Sequence, residues 1–132
     1  MQKVSWDDLH TTGNTLISPA YKSNGHVFTS GSTGKDSNGQ FPSDPKAQTH
    51  LAIKHLEKVL QASGSSLEKV LKVLLFIADP KDAAAINSVY KLYFPNKPAR
   101  SCVVVKFPNS DIKVEMECVA EYESYQGRMI KL

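Results

Sequence analysis

Arg100, Glu115 and Glu117 are the residues of this chain whose types and spacing suit chemistry. Arg100 stands in Pro98-Ala99-Arg100-Ser101, at the mouth of the apolar run Cys102-Val103-Val104-Val105. There it offers a planar, permanently charged fork that matches a carboxylate. Downstream, Lys113-Val114-Glu115-Met116-Glu117 alternates charged and apolar residues, the pattern of a half-buried strand. Arg100 and Glu115 are the sharpest pair of candidates in this sequence. The same two residues can also form a plain cross-strand ion pair, worth about 0.2–1 kcal/mol.

Other reactive side chains point to less. Cys102 and Cys118 lack metal-type spacing and read as reduced, packed thiols, with a redox-sensitive Cys102 beside Arg100 as the sharper alternative. His50 and His55 fall on different faces of one helix, and His10 and His26 lie in unrelated segments, so no metal site is expected. Gly31-Ser32-Thr33-Gly34-Lys35 has two residues between its glycines where a phosphate loop needs four, and Asp36 follows the lysine. Tyr90, Tyr93 and Phe94 read as core and interface residues.

The elements that must position these groups can be read in order. Asn24-Gly25 marks a hairpin turn before the β-prone Val27-Phe28-Thr29, with Leu16-Ile17 as the expected partner strand. Residues 31–44 read as a long loop. Asp44-Pro45 caps and starts a helix in which Ala52, Leu56, Val59, Leu60 and Ser63 recur at helical spacing, and Gly64 ends it. Val70 to Ala78 is a buried strand, broken by Asp79-Pro80. Asp82 is expected to cap a second helix with Ile86, Val89, Tyr90 and Tyr93 on one face. Ser101 to Phe107 and Ile112 to Tyr122 are the last two strands, joined by Pro108-Asn109-Ser110-Asp111 and expected to pair. Residues 123–132 read as a tail. The pattern is an α+β domain spanning residues 1–132, with its core at about 16–122: a mixed β-sheet with two helices on one face.

Strand parity places the chemical residues. Ile112, Val114, Met116 and Cys118 form the core-facing set of the last strand. Lys106 shares parity with Arg100, Cys102 and Val104, which leaves Ser101, Val103 and Val105 for the core. Arg100, Cys102 and Glu115 then share the face away from the helices. Val104 and Val119 make that face too apolar to stay wet, so a second subunit is expected to cover it and form an inter-subunit cleft.

Composition bounds the class. The 132 residues are 41% hydrophobic and 22% charged, ordinary for a globular domain. The formal charge of +3 is small and the lysines are scattered, which disfavours nucleic acid and membrane surfaces as partners. No apolar run approaches the roughly 20 residues of a membrane span. The N-terminus shows neither a signal-peptide nor a transit pattern, so a cytoplasmic location is expected, with a mitochondrial one as the alternative. The terminal Ile130-Lys131-Leu132 is a poor match to a peroxisomal address.

Several stretches together resemble the Rid family of reactive intermediate deaminases, the YjgF-type proteins, also labelled L-PSP endoribonucleases. They are Thr29-Ser30-Gly31, Asn87-Ser88-Val89-Tyr90, Phe94 with Lys97-Pro98-Ala99-Arg100-Ser101-Cys102-Val103, and Lys113-Val114-Glu115-Met116-Glu117. Leu56-Glu57-Lys58-Val59-Leu60 and Val70-Leu71-Lys72-Val73 also fit. The resemblance covers roughly Ile17 to Tyr122. It implies a chorismate-mutase-like fold assembled as a homotrimer with three clefts between subunits. It also implies hydrolysis of enamine and imine intermediates, of the 2-aminoacrylate and 2-iminopropanoate type, to 2-keto acids and ammonia. Such intermediates come from pyridoxal-phosphate-dependent enzymes, and the family itself needs no cofactor.

By the same resemblance Arg100 binds the substrate carboxylate and Glu115 orients or activates water. Ser30, Gly31, Asn87 and Cys102 line the cleft, Cys102 mainly through its backbone. Deaminating members carry an aromatic residue directly after the early proline. Here Pro19 is followed by Ala20 and then Tyr21, which makes Tyr21 the candidate replacement. Two other readings stand beside the enzyme: a trimer that binds small carboxylates without turning them over, and the endoribonuclease or translation inhibitor of the older labels.

Overall fold

A computed structural model describes residues 1–123. It shows a seven-stranded mixed sheet and two helices. In chain order the elements are β1 (Gln2–Val4), β2 (Ala20–Ser23), β3 (His26–Thr29), β4 (Ser32–Thr33), α1 (Pro45–Ala62), β5 (Val70–Ile77), α2 (Ala83–Tyr93), β6 (Ala99–Val104) and β7 (Val114–Glu121). Across the sheet the order is β1-β2-β3-β7-β5-β6, and β4 continues the line of β3 along β7.

Local chemistry explains most boundaries. Asn24 and Gly25 both take positive φ, the twist a two-residue hairpin needs, so the residues that flank them pair. The partner of β3 is therefore Ala20–Ser23. Leu16 and Ile17, the expected partner, lie in an exposed loop. The Asp44 carboxylate accepts from the Lys46 N–H at 3.0 Å and Pro45 opens α1, as the sequence implied. Gly64 takes φ 78° just past its end. At the second helix the cap is displaced. Asp79 accepts from the Lys81 N–H at 2.9 Å and caps a 3-10 turn, whereas Asp82 makes no side-chain cap bond. Proline at 80 sets that turn first, and α2 continues from it. Residues 31–44 are not all loop either, because Ser32–Thr33 pairs with β7.

Both helices pack on one face. Ile53, Leu56 and Leu60 of α1 and Ile86 and Val89 of α2 join Val27, Val73, Leu75, Val114 and Met116 in one buried cluster. Fully burying each large aliphatic side chain contributes about 1.5–3 kcal/mol. Gln48 is a polar side chain inside this layer with both its donors and its acceptor oxygen engaged. Its amide donates to the carbonyls of Pro42 (2.8 Å) and Asp111 (2.7 Å), and its carbonyl accepts from the Lys113 N–H at 2.9 Å. It ties α1 to the entry of β7. Gly34 allows the close approach of β4, since a Cβ there would sit on the Gln48 backbone. No helix among the described residues is long and apolar enough to cross a membrane.

The last two strands are not neighbours. β6 runs parallel to β5 at the edge of the sheet, and β7 lies on the far side of β5, antiparallel to it. A helix between β5 and β6 is the crossover that parallel neighbours require. The tail read over residues 123–132 lies outside the described residues from 124 onward.

Candidate active site

The register corrects the faces. Arg100 is level with Val73 and Cys118, Cys102 with Leu75 and Met116, and Val104 with Ile77 and Val114. Those partners are buried against the helices, so Arg100, Cys102 and Val104 lie on the helix side. Ser101 and Val103 face the other way, level with Glu117 and Glu115. Parity was right and its sense was inverted. Every residue of β6 is exposed, so burial gives this edge strand no inside. Glu115 does lie on the helix-free face, as expected. Within one chain Arg100 and Glu115 are thus on opposite faces, with β5 between their strands. They are about 10 Å apart across the sheet and about 10 Å along it.

Around Arg100 the chain builds a seat. Asn87 and Tyr90 are three residues apart on α2, hence on one face of it. The Arg100 guanidinium donates to Asn87 Oδ1 at 2.8 Å and stacks over the Tyr90 ring at 4.7 Å. Phe94 stacks behind Tyr90 at 4.5 Å. Among the described residues no carboxylate pairs with Arg100; the two ion pairs there are Lys54–Glu57 and Lys81–Asp79. Most of the five donors of the fork are left for a ligand. The buried Tyr90 hydroxyl has no partner at good hydrogen-bond geometry among the described residues, and burial pushes its pKa up against the pull of the neighbouring Arg100. Tyr90 thus supports the Arg100 guanidinium as well as packing in the core, and its three-residue spacing from Asn87 was the signal that both would meet one side chain.

Glu115 occupies the second cluster. It is level with Phe76 and Val103 on β5 and β6 and with Thr33 on β4. Gly31 is packed on it: a Cβ at Gly31 would come within 2.7 Å of the Glu115 carboxyl. Burial first, and the neighbouring Glu117 second, push the Glu115 pKa above the ordinary carboxylate value. Ser30 is fixed beside Gly31, its hydroxyl donating to the Ser18 carbonyl at 2.6 Å and its N–H to the Pro19 carbonyl at 2.9 Å.

The remaining candidates fall outside both clusters or at their margins. Tyr21 is level with Phe28 and Val119 on the helix-free face, four positions along β7 from Glu115. Ala20 points to the opposite, core side and is buried. Alternation along the strand therefore sends Tyr21 to the other face from position 20. Cys102 is exposed at the edge beside Arg100, while Cys118 is buried, with its thiol pushed up to about 12 by desolvation. The Thr29 hydroxyl accepts the Cys118 N–H at 3.0 Å. His50 contacts the Tyr93 hydroxyl and His55 the Lys35 carbonyl, well apart on α1. No three His, Cys, Asp or Glu side chains converge on a metal position among the described residues.

Residues 14–122 match the family described as Endoribonuclease L-PSP. The chain is 43% identical over 124 residues to protein mmf2, mitochondrial, of Schizosaccharomyces pombe, covering 91% of this chain and 98% of that one. It is 40% identical over 105 residues to protein mmf1, mitochondrial, of the same yeast, covering 76% of this chain and 65% of the relative's length. TdcF of Escherichia coli, named as a reactive intermediate deaminase, is 36% identical over 99 residues, 71% of this chain and 77% of TdcF. The crystal structure of E. coli TdcF with bound serine aligns with a TM-score of 0.75 at 32% identity, over 84% of this chain and 90% of that one.

Proposed function

Since this chain belongs to the endoribonuclease L-PSP family, the YjgF/Rid proteins, we propose that it hydrolyses small 2-imino and enamine acids to 2-keto acids and ammonia. The observation that carries this reading is the state of Arg100. It is a guanidinium seated by Asn87 and Tyr90, exposed at a sheet edge, with no carboxylate partner among the described residues. A fork held in that way is preorganised for a ligand carboxylate. The deaminase name of TdcF and its structure with serine, an amino acid, support the same substrate class.

The chemistry needs little more. An iminium carbon is already electrophilic, so fixing the carboxylate and presenting one water supplies most of the catalysis. Water adds to C2 as Glu115 takes its proton, giving a carbinolamine. Glu115 then returns a proton to nitrogen, the C–N bond breaks, and the C2 hydroxyl loses its proton to form the ketone. One iminium acid and one water give one keto acid and one ammonium ion. A carboxyl whose pKa is raised by burial suits both halves of this exchange.

In one chain Arg100 and Glu115 stand on opposite faces, so the reading requires two copies, the β6 edge of one meeting the Gly31–Glu115 junction of the next. A homotrimer closes such contacts into three equivalent clefts. The helix-free face supports association, with Tyr21, Phe28 and Val103 each more than 40% exposed. In that arrangement Ser30, Gly31 and Glu115 come from one subunit, and Asn87, Arg100 and the Cys102 backbone from its neighbour. The imines would be supplied by pyridoxal-phosphate-dependent enzymes. The mitochondrial names of the fission-yeast relatives favour a mitochondrial setting over a cytoplasmic one.

The test is ammonia and keto-acid release from imines generated in situ by an amino-acid oxidase, with wild type and Arg100→Ala. Wild type should accelerate release and the variant should lose at least about a hundredfold of that effect. Equal rates would sink the assignment. Keto-acid binding in calorimetry without any acceleration would establish a carboxylate-binding trimer instead.

A further inference from the structure

A cleft of about 420 Å³ opens on the helix side of β4, between α1 and the N-terminal segment. Its roof is made by residues 6–13, which precede the family match at 14–122. Trp6 is built in rigidly. Its indole N–H is shared between the Asn14 and Ile17 carbonyls, each at 3.1 Å, and Gly13 lies so close that a Cβ there would run into the ring. Trp6, Leu9 and Val59 give the cleft apolar surface.

Basic side chains outnumber acidic ones in its lining. Lys35, Lys58 and His55 line it, and neither lysine has an acidic partner among the described residues. His55 is fixed, its Nε2–H donating to the Lys35 carbonyl at 2.7 Å. The one carboxylate present, Asp36, is committed to its own loop: Oδ1 accepts from the Asn38 and Gln40 N–H groups, both at 2.9 Å. The Lys35 ammonium lies 5.8 Å from the centre of the Phe41 ring, and a rigid aromatic wall beside two ammonium groups without a carboxylate partner suits a ligand that is flat and apolar at one end and anionic at the other.

We propose that this cleft binds a small aromatic carboxylate, at a site separate from the Arg100 fork. It shares Ser30 and Gly31 with the Glu115 junction but lies across β4 from it. Occupancy would therefore bear on the strand that holds Gly31 against Glu115.

Trp6 is the only tryptophan in the chain, so its emission reports on this cleft and on the neighbouring pocket it shares with Lys3, Ile17 and Tyr21, and the Lys58 and Lys35 variants tell the two apart. Titration of the full chain with phenylacetate should quench or shift that emission saturably, whereas benzylamine, of similar shape and opposite charge, should not. Lys58→Glu should weaken the phenylacetate response at least about tenfold, and Lys35→Glu should weaken it too, with circular dichroism checking the fold of each. Arg100→Ala should leave the response unchanged, which keeps the outcome independent of the deaminase assignment. The proposal is overturned by an absent response, by an equal response to benzylamine, by an undiminished one in Lys58→Glu, or by one lost in Arg100→Ala.

Discussion

At the β6 edge Arg100 keeps its charge in the open, seated on Tyr90 and held by Asn87 at 2.8 Å. At the β4–β7 pairing Glu115 is half-buried against Gly31, and desolvation raises its pKa. The first group is preorganised by specific contacts, the second by removal of water. An edge strand leaves a charge solvated and therefore cheap to keep, so a long side chain needs only orientation there. A central strand takes away solvent, and the carboxyl responds by holding its proton more tightly. The proposed anion anchoring draws on the first environment and the proposed proton transfer on the second.

The sharpest way to break this comparison is subunit mixing. Arg100→Ala and Glu115→Ala should each be inactive alone, yet co-refolding equal amounts should restore activity to about a quarter of wild type. In random trimers that fraction of interfaces pairs an intact Arg100 with an intact Glu115 from different chains. Deaminase assays on the mixed and unmixed pools decide it, and no recovery would mean that both groups act from one chain.

A smaller effect is expected from Gly31→Ala. The added methyl falls within 2.7 Å of the Glu115 carboxyl and displaces it without touching the Arg100 seat. The predicted outcome is a kcat reduced about ten- to a hundredfold with binding of keto-acid product unchanged. Weaker product binding with kcat intact would place Gly31 in anchoring instead.

The smallest effect concerns stability. Because folding raises the Glu115 pKa, the native state holds a proton that the unfolded state has lost, over a window running upward from the ordinary carboxylate value. Stability is then fully present below that window and falls as pH rises through the raised value. Glu115→Gln removes the loss. Its Tm should exceed that of wild type near neutral pH, and the difference should vanish in acid below the ordinary carboxylate range. A difference that persisted there would trace to packing.

Legibility followed the strength of local signals. Asp44-Pro45, Gly64 and the Ala52–Leu56–Leu60 repeat mark α1 because capping and helical period act within a few residues. Residues 70–77 were legible as a strand because apolarity on both faces has few other uses. The misassigned partner of β3 came from weighing apolarity at Leu16-Ile17 above the turn geometry at Asn24-Gly25, which pairs its immediate flanks. The pairing of β6 with β7 was misread for a related reason. Pro108-Asn109-Ser110-Asp111 looks like a hairpin turn, whereas the helix between β5 and β6 was the better signal, since it makes those two strands parallel neighbours.

The sequence by itself determined the helices, the core-facing set of β7 and the identity of Arg100 and Glu115 as groups with chemical potential. Each rests on residue type or short-range period, properties carried by a few neighbours in the chain. Only the tertiary structure decided which face Arg100 takes and what it touches. An edge strand exposed along its whole length has no buried side to declare its sense, and insertion of β7 between β3 and β5 is a choice among long-range pairings. That choice is made by which strand buries most against the helices. β7 alternates buried and half-buried and wins the centre; β6, exposed throughout, is left at the rim, with its arginine on the helix side against Asn87 and Tyr90.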